Sequence, residues 1–145
     1  MLIAVNAGNS RVLLGGYEED GQVFSASIAT EPKLTRDDYA CKLQQVLLLY
    51  GVNVRRIHGG IVSSVVPSMV GVLEGALRLL GIRDVIEVSS GVKTGLNIRS
   101  EQPRQVGSDR VAAAVAARAK GKLPCVAITL GTATTFTALD GSGAL

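Results

Sequence analysis

The sequence is poor in the residues that metal sites need. It contains one histidine, His58, and two cysteines, Cys41 and Cys125, which stand far apart and form no CxxC pair. Three such residues are too few for a zinc site of the usual spacing, and we expect two buried, reduced thiols. His58 precedes two glycines, so we interpret it as a solvated or locally bonded imidazole with no catalytic role.

Aromatic residues are also scarce, at 3% of the chain, and tryptophan is absent. The formal net charge is +3, but the basic residues are scattered along the sequence. A nucleic-acid surface combines clustered basic residues with aromatic side chains on which bases stack. We therefore interpret the basic residues as ordinary solvated faces and expect no nucleic-acid partner.

Long apolar runs are missing as well. None approaches the roughly 18 to 20 residues of a membrane-spanning helix. The start, Met1-Leu2-Ile3, lacks the basic segment and cleavage site of a signal peptide. We expect a protein of the cytoplasm with no membrane partner. Hydrophobic residues make up 47% of the chain and charged residues 19%, as in a packed α/β protein.

Local patterns predict the order of helices and strands. Strand-like runs at 2–5, 11–17 and 22–28 predict an antiparallel meander. Helices are predicted over 35–50, 67–80 and 107–120, the first capped by Thr35 and stopped by Gly51. The apolar run at 57–66 predicts a strand covered on both faces, and further strands are expected at 84–88, 124–130 (buried) and 136–139.

This order predicts an α/β fold of the ribonuclease-H-like type, with a central mixed sheet over residues 1–122. Residues 123–145 read as the first hairpin of a second such domain. An isolated two-stranded hairpin is marginal in water, so more sheet is expected, either from a longer chain or from another chain. The turns Gly8-Asn9-Ser10 and Gly131-Thr132-Ala133-Thr134 echo each other. Facing each other across a cleft, they would offer backbone N–H groups to a polyphosphate.

With these elements in order, the sequence resembles the N-terminal half of type III pantothenate kinase, a member of the actin-like, sugar-kinase and Hsp70 superfamily. The resemblance covers residues 1–145. Each motif is short, and it is their order that is specific. They are Asn6-Ala-Gly-Asn-Ser10, Ser63-Ser-Val-Val-Pro67, Gly91-Val-Lys-Thr-Gly-Leu96, Gly107-Ser-Asp-Arg110 and Thr129-Leu-Gly-Thr-Ala-Thr-Thr135.

The resemblance implies ATP-dependent phosphorylation of the primary hydroxyl of pantothenate, the first step toward coenzyme A. It implies Mg²⁺ and a monovalent cation, K⁺ or NH₄⁺, as companions of ATP. Asp109 would be the catalytic base, and Gly107, Arg110, Lys93 and Thr94 would bind substrate with it. The implied contacts to the ATP phosphates are Asn6, Gly8, Asn9, Ser10, Gly131, Thr132 and Thr134.

Three positions depart from the family pattern. Asn6 and Thr129 stand where the family has aspartates of the cation and phosphate sites, and Ser100 stands where it usually has a tyrosine of the pantothenate pocket. Mg²⁺ prefers anionic oxygen, which an amide and a hydroxyl do not supply. We therefore expect weak metal binding by this chain.

Several of these residues have simpler interpretations that the sequence leaves open. Gly8 and Gly131 could be hairpin glycines that need a positive φ. Asp109 could merely supply a negative charge at a helix N-terminus, with Arg110 as its surface neighbour. Lys93 and Thr94 could form a solvated turn.

Three functional hypotheses follow. The chain is an active kinase that tolerates Asn6 and Thr129, a degenerate subunit that completes a shared dimer site, or a regulatory protein that senses nucleotide or pantothenate. The two carboxylate losses favour the second hypothesis. It expects a homodimer or a heteromer with an aspartate-bearing catalytic paralogue.

Overall fold

The computed structural model describes residues 1–89 and 92–145, with the side chain of Arg104 left aside. The chain packs into two compact units, Met1–Glu87 and Val88–Leu145, and each is described by itself.

The first unit is built on a five-stranded mixed sheet with the strand order β3-β2-β1-β4-β5. Strand β1 lies in the centre, antiparallel to β2 and parallel to β4. The edge strands are β3, antiparallel to β2, and β5, parallel to β4. The strands are β1 (Leu2–Ala7), β2 (Arg11–Glu18), β3 (Gly21–Ala29), β4 (Gly59–Ser64) and β5 (Val85–Glu87).

Two helices connect the parallel strands, α1 (Arg36–Leu49) and α2 (Pro67–Leu79). Helix α1 begins with a capping box, because Thr35 accepts from the N–H of Asp38 while the Asp38 carboxylate accepts from the N–H of Thr35. Gly51 and Gly81 follow the two helices with φ values of +67° and +90°, a conformation that glycine adopts without strain. A short 3₁₀ turn at Val54–Arg56 precedes β4.

One hydrophobic core holds this unit together. Alternate residues of the strands point to one face of the sheet and pack with the apolar stripes of both helices. Fully burying one valine, leucine, isoleucine or methionine side chain stabilises the folded state by about 1.5–3 kcal/mol. The largest fully buried members include Ile3, Leu14, Tyr39, Leu43, Leu47, Met69, Leu73 and Leu77.

The second unit consists of one helix, one hairpin and connecting loops. Helix α3 (Ser108–Ala119) packs on the hairpin of β6 (Cys125–Leu130) and β7 (Thr134–Leu139). A 3₁₀ turn at Pro103–Gln105 precedes the helix. The buried apolar residues of the second unit, in its described part, are Val88, Val111, Ala114, Leu139 and Ala144.

Three expectations about burial are wrong. Strand β6 is not buried, since Val126, Ile128 and Leu130 are 57%, 58% and 82% exposed. Strand β4 is not covered on both faces, because Ile61 is 40% exposed. Cys41 is exposed on α1 and Cys125 is half-buried, so neither thiol belongs to a core. An apolar run indicates a strand, but it does not reveal how many of its faces are covered.

The α/β class with a central mixed sheet is confirmed, as are all three helices and the order of the strands. The division into residues 1–122 and 123–145 stays a prediction. No helix of the described residues is both long and apolar enough to cross a membrane.

Candidate functional site

The first glycine-bearing turn is held in place by a residue outside it. Gly8 donates its N–H to the carbonyl of Arg11 over 2.9 Å, which closes the turn between β1 and β2. Thr30, just after β3, donates its N–H to the Ser10 carbonyl over 3.0 Å and its hydroxyl to the Gly8 carbonyl over 2.8 Å. The side chains of Asn9 and Ser10 remain exposed at the tip. The turn is therefore fixed while its tip stays accessible.

The glycines of the two hairpin turns are not there for an unusual backbone conformation. Neither Gly8 nor Gly131 has a positive φ, so the simpler interpretation of both as conformational glycines is wrong. A Cβ atom at Gly8 would lie 3.3 Å from the Arg11 carbonyl, and one at Gly131 would lie 3.6 Å from the Ala133 carbonyl. Glycine at position 8 thus avoids a tight contact with the Arg11 carbonyl, and at both turns it leaves the backbone without a side chain over it.

Asn6 lies near the end of β1, beside Ser63 of β4 in the parallel register. Its side-chain Oδ1 is buried and has no hydrogen-bond partner among the described residues. A buried acceptor without a partner costs about 1–3 kcal/mol. The amide oxygen at this position also carries no negative charge.

The second hairpin carries a row of threonines. Thr129 of β6 lies opposite Thr135 of β7, and Thr134 pairs with Leu130 where the turn begins. Thr129, Thr132 and Thr134 are exposed, whereas the hydroxyl oxygens of Thr135 and Thr137 are buried without partners in the described part of the chain. The exposed turn therefore presents hydroxyl and backbone groups and no carboxylate.

These donor sets do not fit a magnesium site on this chain. Asn6 and Thr129 each offer a single neutral oxygen, and Mg²⁺ is usually held by one or two carboxylates plus phosphate oxygens. Within residues 1–89 and 92–145, no group of three His, Cys, Asp or Glu side chains could hold a metal ion. The exposed residues of the two turns are a better chemical match for phosphate oxygens, because turn backbones and hydroxyl groups can bind them.

Asp109 lies in the first turn of α3, where the helix dipole favours a negative charge. Gly107 is the N-cap residue, and its carbonyl accepts from the N–H groups of Arg110 and Val111. The Asp109 carboxylate folds back over Gly107, so that a Cβ added there would lie 2.5 Å from Asp109 Oδ1. Glycine at 107 therefore makes the room that the carboxylate occupies. The Asp109 carboxylate forms no ion pair in the described part of the chain.

Lys93 and Thr94 lie in the loop before α3. Lys93 is exposed, and the Thr94 hydroxyl accepts from the N–H of Leu96 over 3.3 Å. Arg118 of α3 donates to the carbonyl of Gly95, which ties this loop to the helix. No hydrogen bond among the described residues joins Lys93 or Thr94 to Asp109. Their simpler interpretation as a solvated turn thus remains open.

Gly91, the first residue of one motif, lies outside the described residues. Ser100, at the position of the family tyrosine, is exposed, and its hydroxyl accepts from the N–H of Gln102 over 3.3 Å. Ser100 thus shapes a local turn and offers no large surface to a ligand.

The structure brings part of the predicted site together. Gly107, Asp109 and Arg110 share the N-terminal turn of α3, and the second hairpin packs on the same helix within Val88–Leu145. Asn6, Gly8, Asn9 and Ser10 belong to the other unit. Their closeness to Asp109 therefore remains a prediction.

Sequence reasoning missed the residues that fix the loops. Thr30 fastens the first turn from 20 or more positions away, and Arg118 holds the Gly95 loop from the far end of α3. No local pattern signals such contacts. Asp140 is different, because it accepts from the N–H groups of Ser142 and Ala144, and an Asp-Gly-Ser-Gly run is a recognisable turn signal.

With this geometry in hand, comparison with known proteins gives one consistent result. The sequence profile of the family described as type III pantothenate kinase matches residues 2–145. The chain is 38% identical over 143 residues to a type III pantothenate kinase of Syntrophotalea carbinolica (strain DSM 2380 / NBRC 103641 / GraBd1). It is 35% identical over 144 residues to one of Geobacter sulfurreducens (strain ATCC 51573 / DSM 12127 / PCA).

The comparisons place this α/β chain in a class of phosphotransferases, the pantothenate kinases. The chain belongs to the type III pantothenate kinase family. Each alignment covers 99% of this chain and 56% of the relative, so the chain spans about half the length of these relatives.

Proposed function

We propose that this chain takes part in the ATP-dependent phosphorylation of pantothenate, as a degenerate subunit that contributes to an active site shared with a partner. The observation that carries the proposal is the contrast between Asp109 and Asn6. The carboxylate that the reaction would use as a base is present at the start of α3. Near the first turn, Asn6 has a buried, neutral oxygen with no hydrogen-bond partner among the described residues.

In this proposal Asp109 accepts the proton of the pantothenate hydroxyl as that oxygen attacks the γ-phosphorus of ATP. The carboxylate is half-buried and forms no ion pair in the described residues, so it is free to accept a hydrogen bond. Arg110, exposed beside it, would neutralise the charge of the transferred phosphoryl group. Gly107 leaves the carboxylate the room it needs.

The two hairpin turns would hold the ATP phosphates. Gly8 and Gly131 leave the backbone uncovered without any conformational need for glycine, which supports a close approach by a ligand. Asn9, Ser10, Thr132 and Thr134 add side-chain groups at the two tips. Val88–Leu145 has seven basic and three acidic residues, a balance that suits an anionic ligand.

Mg²⁺ and a monovalent cation would, by this proposal, be held mainly by carboxylates of a partner. Asn6 and Thr129 supply neutral oxygens only, so this chain alone would stabilise the metal–phosphate complex poorly. If each lost carboxylate removes a few kcal/mol of stabilisation, the rate falls by orders of magnitude, at about 1.4 kcal/mol per tenfold.

The proposal includes a ribonuclease-H-like fold for this chain. The strand order β3-β2-β1-β4-β5, with one antiparallel meander and two parallel strands, supports a ribonuclease-H-like domain of the actin-like ATPase type. The second hairpin would begin another such domain. Pantothenate would be the substrate, the partner a second copy or a catalytic paralogue, and the cytoplasm the site of action.

The test is a measurement of ADP release with pantothenate, using the chain alone and the chain co-purified with an aspartate-bearing type III pantothenate kinase. We expect no turnover by the chain alone and turnover in the mixture. The Asp109→Asn variant of this chain should lower the rate of the mixture at least about tenfold, as loss of a general base does.

The matched variant for the cation site is Asn6→Asp combined with Thr129→Asp, which restores both family carboxylates. We expect it to increase the rate of the mixed complex. Full activity of the unchanged chain alone would overturn the degenerate-subunit proposal, and an unchanged rate after Asp109→Asn would remove Asp109 from the mechanism.

A second candidate is a regulatory protein that binds nucleotide without chemistry. The same combination of two open turns with neutral oxygens at Asn6 and Thr129 would also suit binding of a nucleotide without phosphoryl transfer. Nucleotide binding by the chain, with no effect of the Asp109→Asn variant in any mixture, would decide for this candidate.

A further inference from the structure

The loop at 92–100 carries an exposed positive charge and contains no helix or strand. Lys93 has no acidic partner in the described part of the chain. Two short-range hydrogen bonds shape the loop from within, from the N–H of Thr94 to the Val92 carbonyl over 2.8 Å and from the N–H of Leu96 to the Thr94 hydroxyl. Such a loop samples many conformations unless other segments fix it, because ordering each residue costs backbone entropy.

Arg118, in the last turn of α3, fixes this loop at its middle. Its Nη1 donates to the carbonyl of Gly95. Both terminal nitrogens lie near that residue, at 3.9 Å (Nη1) and 3.7 Å (Nη2) from the position that a Cβ atom would take at Gly95. Among the described residues, Arg118 has no acidic partner. A charged donor strengthens a hydrogen bond to a carbonyl, so this contact is the main use of the guanidinium.

The methylene stem of Arg118 packs on a second turn. A Cβ atom at Gly143, which is buried, would lie 3.1 Å from Arg118 Cδ and 3.5 Å from its Cγ, so glycine leaves room for the stem. Asp140 fixes this turn, because its carboxylate accepts from the N–H groups of Ser142 and Ala144 over 2.8 and 3.0 Å. Arg118 is therefore held by a fixed turn while it holds the loop.

The downstream part of the loop has an anchor of its own. The N–H of Leu145 donates to the carbonyl of Asn97 over 2.9 Å, and the Leu145 carbonyl accepts from the N–H of Arg99 over 2.6 Å. Of the two anchors, Arg118 acts closer in sequence to Lys93. Loss of the Arg118 side chain should therefore free the Lys93 part of the loop, while the backbone contacts at 97–99 remain.

We propose that Arg118 is a positioning residue for substrate binding, which fixes the loop so that Lys93 can pair with the carboxylate of pantothenate. This inference rests on the proposed function. The substrate is an anion, and Lys93 offers an exposed cation without an acidic partner in the described residues. A loop that is ordered in advance loses less entropy on binding, so Arg118 contributes to affinity rather than to the chemical step.

A structural role of Arg118 has to be separated from this one. A cation in the last turn of a helix stabilises the helix through its dipole, and this effect needs the charge alone. Lys120 is the matched control, because it is the exposed C-cap residue of α3 and carries the same charge. Its side chain forms no ion pair within the described residues.

The test is steady-state kinetics of the mixed complex, isolated through an affinity tag on this chain. Arg118→Met, which keeps a flexible stem without a donor, should raise the KM for pantothenate about tenfold and leave kcat within about twofold. The KM for ATP should stay the same. Arg118→Lys, which keeps a charged donor, should recover most of the loss, and Lys120→Met should behave as wild type. An unchanged pantothenate KM in Arg118→Met, or an equal rise in Lys120→Met, overturns the proposal.

The Asp109→Asn variant in the same complex distinguishes the failure of this inference from that of the proposed function. If Asp109→Asn lowers the rate and Arg118→Met leaves the pantothenate KM unchanged, the positioning role is wrong and the proposed function stands. If Asp109→Asn has no effect, the proposed function is wrong and the role of Arg118 in it is lost as well.

Hydrogen exchange of the chain alone provides a measurement that does not depend on activity. The amides of Thr94 and Leu96 should exchange about tenfold faster in Arg118→Met than in wild type, because the loop loses its anchor at Gly95. Lys120→Met should leave both rates unchanged. Equal exchange in Arg118→Met and wild type would show that the loop does not need Arg118, which contradicts the proposal.

Discussion

The two units of this chain differ in how completely they bury their own apolar residues. Met1–Glu87 contains eighteen buried apolar side chains in one cluster, whereas the described part of Val88–Leu145 contains five. The smaller unit also leaves Val126, Ile128, Leu130 and Phe136 more than half exposed on one face of its hairpin. The larger unit is therefore stabilised by its own core, whereas the smaller unit leaves one face of its hairpin exposed.

The charges follow the same division. Met1–Glu87 has eight basic and nine acidic residues, and Val88–Leu145 has seven and three. The residues proposed to handle pantothenate lie in the positively charged, sparsely packed unit. Functional segments are often drawn from the less stable parts of a protein, because they must open or rearrange around a ligand.

The comparison predicts its largest effect in hydrogen exchange. Amides of β1, the central strand of five, should exchange about 100-fold more slowly than those of β6, which pairs with β7 alone among the described strands. The measurement is native-state exchange followed by NMR or mass spectrometry. Equal protection of β1 and β6 would mean that the two units unfold together.

A pair of leucines on α2 tests how strongly the larger core is packed. Leu73 is fully buried and Leu79 is 52% exposed. Leu73→Ala should lower the free energy of unfolding by about 2–5 kcal/mol, because it leaves a cavity in the core. Leu79→Ala, the control on the same helix, should cost less than about 1 kcal/mol. Denaturant titration measures both, and similar costs would contradict the assignment of the core.

Gly107→Ala tests the site in the smaller unit. The added Cβ would meet the Asp109 carboxylate at 2.5 Å, so the side chain must move away from its place over the helix start. We expect the mixed complex to lose about tenfold in rate, since misplacing a general base by a fraction of its contact distance is costly. Gly71→Ala is the control, because nothing lies within 4 Å of its Cβ position on α2.

Replacing either of two threonines with valine should change stability, but in opposite directions. Thr30→Val removes the hydroxyl that donates to the Gly8 carbonyl over 2.8 Å and should destabilise the first unit by about 1 kcal/mol. Thr137→Val removes a buried hydroxyl that has no partner within residues 1–89 and 92–145, and it should stabilise the second unit by about 1 kcal/mol. Thermal melting of both variants checks the signs. A loss of stability in Thr137→Val would indicate that a bound group satisfies the hydroxyl.

The smallest predicted effect is a dependence on pH in the second unit. The pKa of Asp140 is held below its ordinary value, first by the hydrogen bond from the Ser142 hydroxyl and then by the N–H of Ala144. A lowered pKa in the folded state adds stability above the ordinary value of about 3.9, and this stability is lost as the pH falls through the folded-state value. Wild type should therefore lose more melting temperature between neutral pH and pH about 3 than Asp140→Asn does.

Much of the fold could be predicted because its signals are local. The alternating strands of the meander, the Thr35 cap and the stop at Gly51 each depend on residues that are neighbours in sequence. The exposure of Ile128 and Leu130 could not be predicted, since an apolar β-run looks the same whether one or both faces are covered.

The candidate site also has parts that the sequence predicts and parts that it does not. The turn glycines and Asp109 are visible as short motifs, and the family is confirmed by comparison. Thr30, which fixes the first turn, is invisible in sequence because it contacts Gly8 and Ser10 only after three strands have assembled. The sequence therefore indicates which groups are present but not what holds them in place.

The dependence of the first turn on Thr30 has a consequence for the order of folding. Its closing contacts need residue 30, and the central strand next to it needs β4 as its second neighbour, so residues 59–64 must already be available. Non-local contacts of this kind form late, after the entropy of closing the loop has been overcome. During synthesis, the segment that is made first thus acquires its final shape only when a segment made much later has joined it.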